Sequence, residues 1–177
     1  MFTVHTTESA PAAARRSMTA TISHNGYLPT AVGLMATSPE LLDGFLRMSG
    51  AFEGTTLDPV AREVVVMTMA TRNGCHLCVA MHTARLTKLD ADDALIAALR
   101  SDSALGDERL EAIRVFTLRV LETTGDVGDD ALKAFLGQGY TERNALEVVL
   151  GIGAYTMSTL ANRLTGATID EPLRQFA

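Results

Sequence analysis

From Tyr27 onward, the apolar residues of this chain recur at helical spacing, and the breaks between runs carry helix punctuation. "LPTAVGLMATSP" predicts a short helix with Pro29 in its first turn. "SPELLDGFLRMSGAF" opens on Ser38 as N-cap and Pro39 at the first helical position, and Leu41, Leu42, Phe45, Leu46 and Met48 fall on one face. "DPVAREVVVMTMATRNG" repeats the device with Asp58 and Pro59 and stops at Asn73-Gly74. "CHLCVAMHTARLTKL" predicts the next helix. "DADDALIAALR" predicts another, with Asp90 as cap. "DERLEAIRVFTLRVLETTG" runs from Asp107 to Gly125, and "DDALKAFLGQG" ends at Gly137 to Gly139. A long helix is expected from Thr141 to about Leu164, followed by the short tail "ATIDEPLRQFA".

Two apolar runs, "VVVMTM" and "EVVLGI", are also compatible with strands, since Val favours them. Their flanks decide the matter. The first follows an Asp-Pro helix start, and the second lies inside a long capped segment. The expected fold class is therefore all-α, with "VVVMTM" as a buried helix face. Residues 1–24 show no period and read as a flexible N-terminal arm, or as one that docks on another subunit. Residues 25–177 read as a single helical domain, since neither repeats nor an internal linker interrupt them.

Composition narrows the function classes. The chain has 177 residues, long enough to bury a real core. Its formal net charge is −6, and its basic residues are scattered rather than clustered. Nucleic acid and anionic membranes reward basic patches, so neither is an expected partner. No apolar run reaches transmembrane length, and Arg15-Arg16 is not followed by an apolar leader core, so a cytoplasmic location is the expectation. In that reducing compartment a cysteine pair points to catalysis or metal binding more than to a structural staple.

The only two cysteines, Cys75 and Cys78, are three residues apart. Random placement would produce that spacing roughly once in 90 trials, so the pair calls for a reason. At a helix start the two thiols can close a disulfide, and Cys75 falls near the positive end of the helix dipole, which favours thiolate. His82 lies one turn beyond Cys78 on the same face and can exchange a proton with it. If the chain reverses at Asn73-Gly74 into an antiparallel hairpin, Glu63 and His82 both lie about 13–16 Å from the bend, at the same level. A carboxylate there orients the imidazole, and the imidazole activates Cys78.

The full spacing, Glu63 with eleven intervening residues, then Cys75-x-x-Cys78-x-x-x-His82, resembles the active-site signature of the AhpD-like branch of the carboxymuconolactone decarboxylase superfamily. "LPTAVGLMATSPELLDGFLRMSGAF" is similar to that family's stretch before the motif, and "GYTERNALEVVLGIGAYTMSTLANRLTG" to its closing helix, so the resemblance spans roughly residues 25 to 170. It implies an all-helical fold that assembles as a trimer or hexamer. It also implies a thiol-dependent peroxidase or disulfide oxidoreductase serving antioxidant defence. By that resemblance Cys78 attacks a hydroperoxide, Cys75 resolves the sulfenic acid as a disulfide, and Glu63 with His82 relays protons. A thiol or dithiol, free or carried by a lipoyl or thioredoxin-type protein, would reduce the pair again. No cofactor and no metal are implied. One position departs from AhpD itself, which carries a histidine immediately before its second cysteine. Here Leu77 stands there and His76 one place earlier, about 100° around the helix, which leaves the substrate and reductant open.

Other readings stay beside this one. The same pair could serve a redox-sensing module without turnover. Cys75, Cys78, His82 and Glu63 could in principle surround zinc, though a site within so short a stretch is uncommon. The decarboxylase branch generally lacks the cysteine pair, which weighs against lactone decarboxylation. A thioredoxin-like enzyme would need βαβ alternation, and none is present. Asn25 and Tyr27 precede the first predicted helix and could line a pocket, though they read more simply as a turn residue and a packed aromatic; Tyr155 and Asn162 are further candidates. Tyr155 and Asn162 are seven apart and share a helix face, and structural hydrogen bonding explains them about as well as substrate contact.

Overall fold

Side chains that accept hydrogen bonds from the first free backbone N–H groups set most of the helix starts. The computed structural model describes residues 2–177, which form nine α-helices and no strand. They are α1 (Ala12–Asn25), α2 (Thr30–Met35), α3 (Pro39–Glu53), α4 (Pro59–Arg72), α5 (His76–Lys88), α6 (Asp93–Arg100), α7 (Glu108–Glu122), α8 (Asp129–Gly137) and α9 (Glu142–Thr165), with a 3₁₀ segment over Glu171–Phe176. Ser38, Asp58, Asp107 and Thr141 each accept from a backbone N–H three residues on, and Pro39 and Pro59 occupy first helical positions. Asn144 returns the bond to the Thr141 N–H and completes a capping box.

α4 is the central helix. Val64, Val65, Val66, Met67, Thr68, Met69 and Ala70 are all buried, because α4 lies against α5, α6, α7 and α9. "VVVMTM" is thus a helix apolar on every face, the expected state of a helix enclosed by others. One core cluster surrounds it, with Phe52, Leu86, Ile113, Phe116, Phe135 and Val148. A second cluster joins Met18, Met35, Leu42 and Leu77 with both cysteines. The redox candidates therefore sit in packed apolar surroundings.

α9 runs along α3 and α4, and Gly151 permits the close approach. A Cβ there would lie 2.7 Å from the Phe52 ring and 3.1 Å from Val65 Cγ1, and Phe52 is itself fully buried. Gly151→Ala should therefore destabilise by about 1–3 kcal/mol through overpacking, lowering Tm by several degrees. Gly44 in α3 meets nothing within 4 Å, so Gly44→Ala should hold or raise Tm. Thermal melts of the two variants check this, and equal behaviour would contradict the close-approach reading.

Two expectations need correction. Residues 12–25 are not a loose arm but helix α1, which packs on α3 and bonds to it through Ser17 and Asp43. Ala14 and Met18, with Ala10 just ahead of the helix, are its buried contacts, too few to show as a period. Ahead of it, the His5 N–H donates to the Gly33 carbonyl at 3.0 Å; of the expected arm only Met1 lies outside the described residues. The cap of α6 is Asp92 rather than Asp90. Asp90 adopts φ 53° in the turn that ends α5, where the Ala91 N–H reaches back to the Leu86 carbonyl at 3.1 Å. The tail is pinned on the body: Asp170 accepts from the Thr30 hydroxyl at 2.6 Å, and Arg100 donates to the Phe176 carbonyl at 2.7 Å.

Candidate active site

The α4–α5 bend is built from Asn73, Gly74 and Cys75. Gly74 adopts φ 62°, a left-handed conformation that other residues enter at a cost. The Cys75 N–H then returns to the Ala70 carbonyl at 2.9 Å, and α5 begins at His76. α9 fastens the bend from the side. The Asn73 amide donates to Thr159 Oγ1 at 2.8 Å, and the Arg163 guanidinium donates to the Asn73 carbonyl.

This geometry places Cys75 as the N-cap of α5 and Cys78 in its first turn. The two sulfurs form a disulfide across a Cα–Cα distance of 5.3 Å, and both residues are buried. Each sulfur accepts one N–H. Cys75 Sγ accepts from the Cys78 backbone at 3.4 Å, and Cys78 Sγ accepts from the Asn162 side-chain amide at 3.4 Å. Both donors favour negative charge on sulfur, and the α5 dipole adds to that at Cys75.

One turn along α5, His82 Nδ1–H donates to Glu63 Oε2 at 2.6 Å, and both residues are more than nine-tenths buried. The hairpin thus brings together the carboxylate and imidazole that helical rise sets at one level. Nδ1 is committed to Glu63, which leaves Nε2 to exchange protons. No hydrogen bond joins His82 directly to either cysteine among the described residues. Burial pushes the Glu63 carboxyl upward, but the charges of His82, Arg85 and Arg62 and the His82 hydrogen bond outweigh it and hold Glu63 below the usual carboxylate range. Arg85 is shared, with Nη1 3.5 Å from Glu63 Oε1 and Nη2 2.6 Å from Glu53 Oε1. Tyr155 stands edge-on to the His82 ring at 5.3 Å. Burial raises its phenol above the ordinary value, so it packs as a neutral group that limits the tilt of the imidazole.

Sequence reasoning left Asn162 undecided and did not reach Arg85. The seven-residue spacing of Tyr155 and Asn162 was a usable signal, since both face the α4–α5 hairpin. Arg85 follows His82 by three, which is also a neighbour position on a helix. His76 is exposed at the start of α5, and Leu77 packs into the core. Asn25 is the last residue of α1, before Gly26, and Tyr27 is half-buried in the following turn. Among the described residues, no group of three or more His, Cys, Asp or Glu converges as metal ligands, because Glu63 pairs with His82 and the sulfurs pair with each other. A surface cleft of about 510 Å³ opens elsewhere, lined by Arg119 and residues 127–131. It holds neither a thiol nor an imidazole, so chemistry rather than cavity size locates the site. No helix among the described residues is long and apolar enough to cross a membrane.

Comparison with known proteins bears on both fold and motif. The model of the carboxymuconolactone decarboxylase family matches residues 39–117, the span that holds Glu63, Cys75, Cys78 and His82. No curated protein matches the chain. Among solved structures, an alkylhydroperoxidase AhpD core, peroxidase-related protein from Ralstonia eutropha JMP134 superposes with a TM-score of 0.85 at 20% identity, covering 97% of this chain and 93% of that one. A peroxidase-related protein from Silicibacter sp. TM1040 gives 0.78 at 17%, covering 94% and 90%. The debrominase Bmp8, as a cysteine-to-alanine variant in complex with 2,3,4-tribromopyrrole, gives 0.79 at 15%, covering 99% and 95%. At such identities the likeness to these three shows the fold, and the family match falls on the segment that carries the cysteines. The chain thus has the all-helical fold of these AhpD-type structures, and its residues 39–117, which include the cysteine pair opening α5, match the carboxymuconolactone decarboxylase family.

Proposed function

We propose that this protein is a thiol-dependent peroxidase that reduces hydroperoxides through a Cys75–Cys78 dithiol–disulfide cycle. The observation that carries the reading is one arrangement: two sulfurs at bonding distance at a helix start, with a buried Glu63–His82 pair one turn away.

The steps follow from these groups. His82 Nε2 takes the Cys78 thiol proton, and Glu63 steadies the imidazolium that forms. The Cys78 thiolate attacks the terminal oxygen of R–O–O–H. The O–O bond breaks, and a Cys78–S–OH sulfenic acid forms. The leaving alkoxide takes the proton back from His82 and departs as R–OH. The Cys75 thiol then attacks the Cys78 sulfur; the S–S bond forms and the S–O bond breaks, releasing water. Two electrons have passed from the thiols to the peroxide. A dithiol, free or carried by a lipoyl or thioredoxin-type protein, returns them by exchange and becomes a disulfide itself. A cytoplasmic setting supplies such donors.

Assembly as a homo-oligomer belongs to the same proposal, as a trimer or hexamer. Leu146, Val149, Leu160 and Leu164 are exposed on one face of α9, and an apolar stripe of that length supports self-association.

The test is turnover with a dithiol donor on hydrogen peroxide, an alkyl hydroperoxide and, because a debrominase shares the fold, 2,3,4-tribromopyrrole. Consumption of a hydroperoxide at a rate well above the uncatalysed dithiol reaction is the expected result. Reaction with the bromopyrrole alone, or with none of the three, would overturn the peroxidase reading.

A further inference from the structure

The hydrogen bond from Asn162 to Cys78 crosses from α9 to α5, between residues 84 apart in sequence. Asn162 is 4% exposed, and its Oδ1 is the one buried side-chain polar atom without a hydrogen-bond partner among the described residues. A buried amide that serves only to join elements satisfies both of its ends, because an orphaned carbonyl is costly. Here the donor end alone is used, and it is used on a sulfur. A disulfide sulfur and a thiolate both carry lone pairs and no hydrogen, so the amide must present its N–H₂ end to Cys78 in either state. The neighbours keep it so: the next residue on α9, Arg163, is tied to the α4–α5 bend, and Thr159 receives Asn73.

The two sulfurs also differ in what they receive. Cys75 accepts a backbone N–H of its own helix, a contact any N-cap makes. Cys78 sits past the cap; among the described residues its one N–H donor is Asn162. A charge-assisted hydrogen bond is stronger than the same bond to a neutral acceptor, so the contact favours reduced, ionised sulfur over the disulfide. We propose that Asn162 is a further catalytic residue, whose side-chain N–H holds reduced Cys78 as the thiolate. The proposal rests on the peroxidase reading for its consequence, and on the Asn162–Cys78 contact alone for its physics.

The experiment measures the pH profile of iodoacetamide alkylation on single-cysteine proteins. In the Cys75→Ser background, Asn162→Ala should move the Cys78 profile upward by about one pH unit, which slows alkylation about tenfold below the midpoint. In the Cys78→Ser background, the same change should leave the Cys75 profile in place; a general loosening of the fold would move both. An unshifted Cys78 profile, or equal shifts at both cysteines, would overturn the proposal. Should Asn162→Ala not fold, the wild-type chain still decides. The Asn162 side-chain amide proton, followed by NMR in reduced protein, should titrate with Cys78 ionisation, and a pH-independent resonance there would overturn the assignment. These readouts need no peroxide. A chain inert to hydroperoxides with a shifted Cys78 profile would defeat the peroxidase reading and leave Asn162 in place. An active chain with an unshifted profile would do the reverse.

Discussion

Replacing Cys78 with Ser should lower the proposed hydroperoxide turnover by on the order of 10³-fold or more, while replacing Cys75 with Ser should stop the proposed cycle one step later. The two outcomes should differ because the proposed mechanism gives the sulfurs different tasks. Without Cys78 there is no thiolate beside Asn162 to attack the O–O bond. Without Cys75 the attack still occurs, but the sulfenic acid has no resolving thiol. It persists, and with excess peroxide it advances to sulfinic acid. Intact mass after one equivalent of hydroperoxide separates the cases: no oxidation in Cys78→Ser, and one added oxygen, trappable by a sulfenic-acid reagent, in Cys75→Ser. Loss of fold is not the cause in the second variant. Cys75 is the N-cap of α5, and Ser is among the best residues for that position. If Cys78→Ser kept turnover, or Cys75→Ser formed a stable disulfide-free cycle, the dithiol mechanism would fail.

Glu63→Gln gives the second large effect. The substitution keeps the shape and an acceptor for His82 Nδ1–H, but removes the charge that steadies the imidazolium. Proton transfer of this kind contributes about 10²–10⁴-fold, so a loss on the order of 10²-fold in the oxidation step is expected, with little change in the Cys75–Cys78 connectivity. Stability changes with pH in a defined direction. The folded-state Glu63 carboxyl lies below its unfolded value of about 4.5, so its ionised form stabilises the fold above that value. That contribution is lost as pH falls from about 4.5 through the folded-state value. Wild-type Tm should therefore drop more steeply than that of Glu63→Gln across this acid window. Parallel Tm–pH curves would show that the carboxylate is not held by His82, Arg85 and Arg62 as described.

Much of the fold is legible because helix starts are chemical. Pro39 and Pro59 can stand only in a first turn, and Ser38, Asp58 and Asp107 precede helices as caps. The Glu63–His82 pairing is legible for a geometric reason: both residues flank a single bend, so rise per residue alone sets their level. α1 is not legible, because its burial depends on Ala10, Ala14 and Met18 meeting α2 and α3, and alanines carry little pattern. The choice between Asp90 and Asp92 is not legible either, since each precedes the same apolar run. Asp90 is drawn into the left-handed turn that closes α5. Asn162 and Arg85 belong to a harder class. Spacing marks the faces they share with Tyr155 and His82, but their partners Cys78 and Glu53 are set by how α9 and α3 cross the hairpin, and nothing in the local sequence encodes a crossing.

Two sulfurs used as one two-electron centre is the central claim, and a thiol count after a single turnover tests it most directly. Fully reduced protein mixed with one equivalent of an alkyl hydroperoxide, then alkylated and weighed intact, should lose both free thiols together and contain a Cys75–Cys78 disulfide, with one equivalent of alcohol released. Retention of both thiols, or oxidation of one without loss of the other, would contradict it.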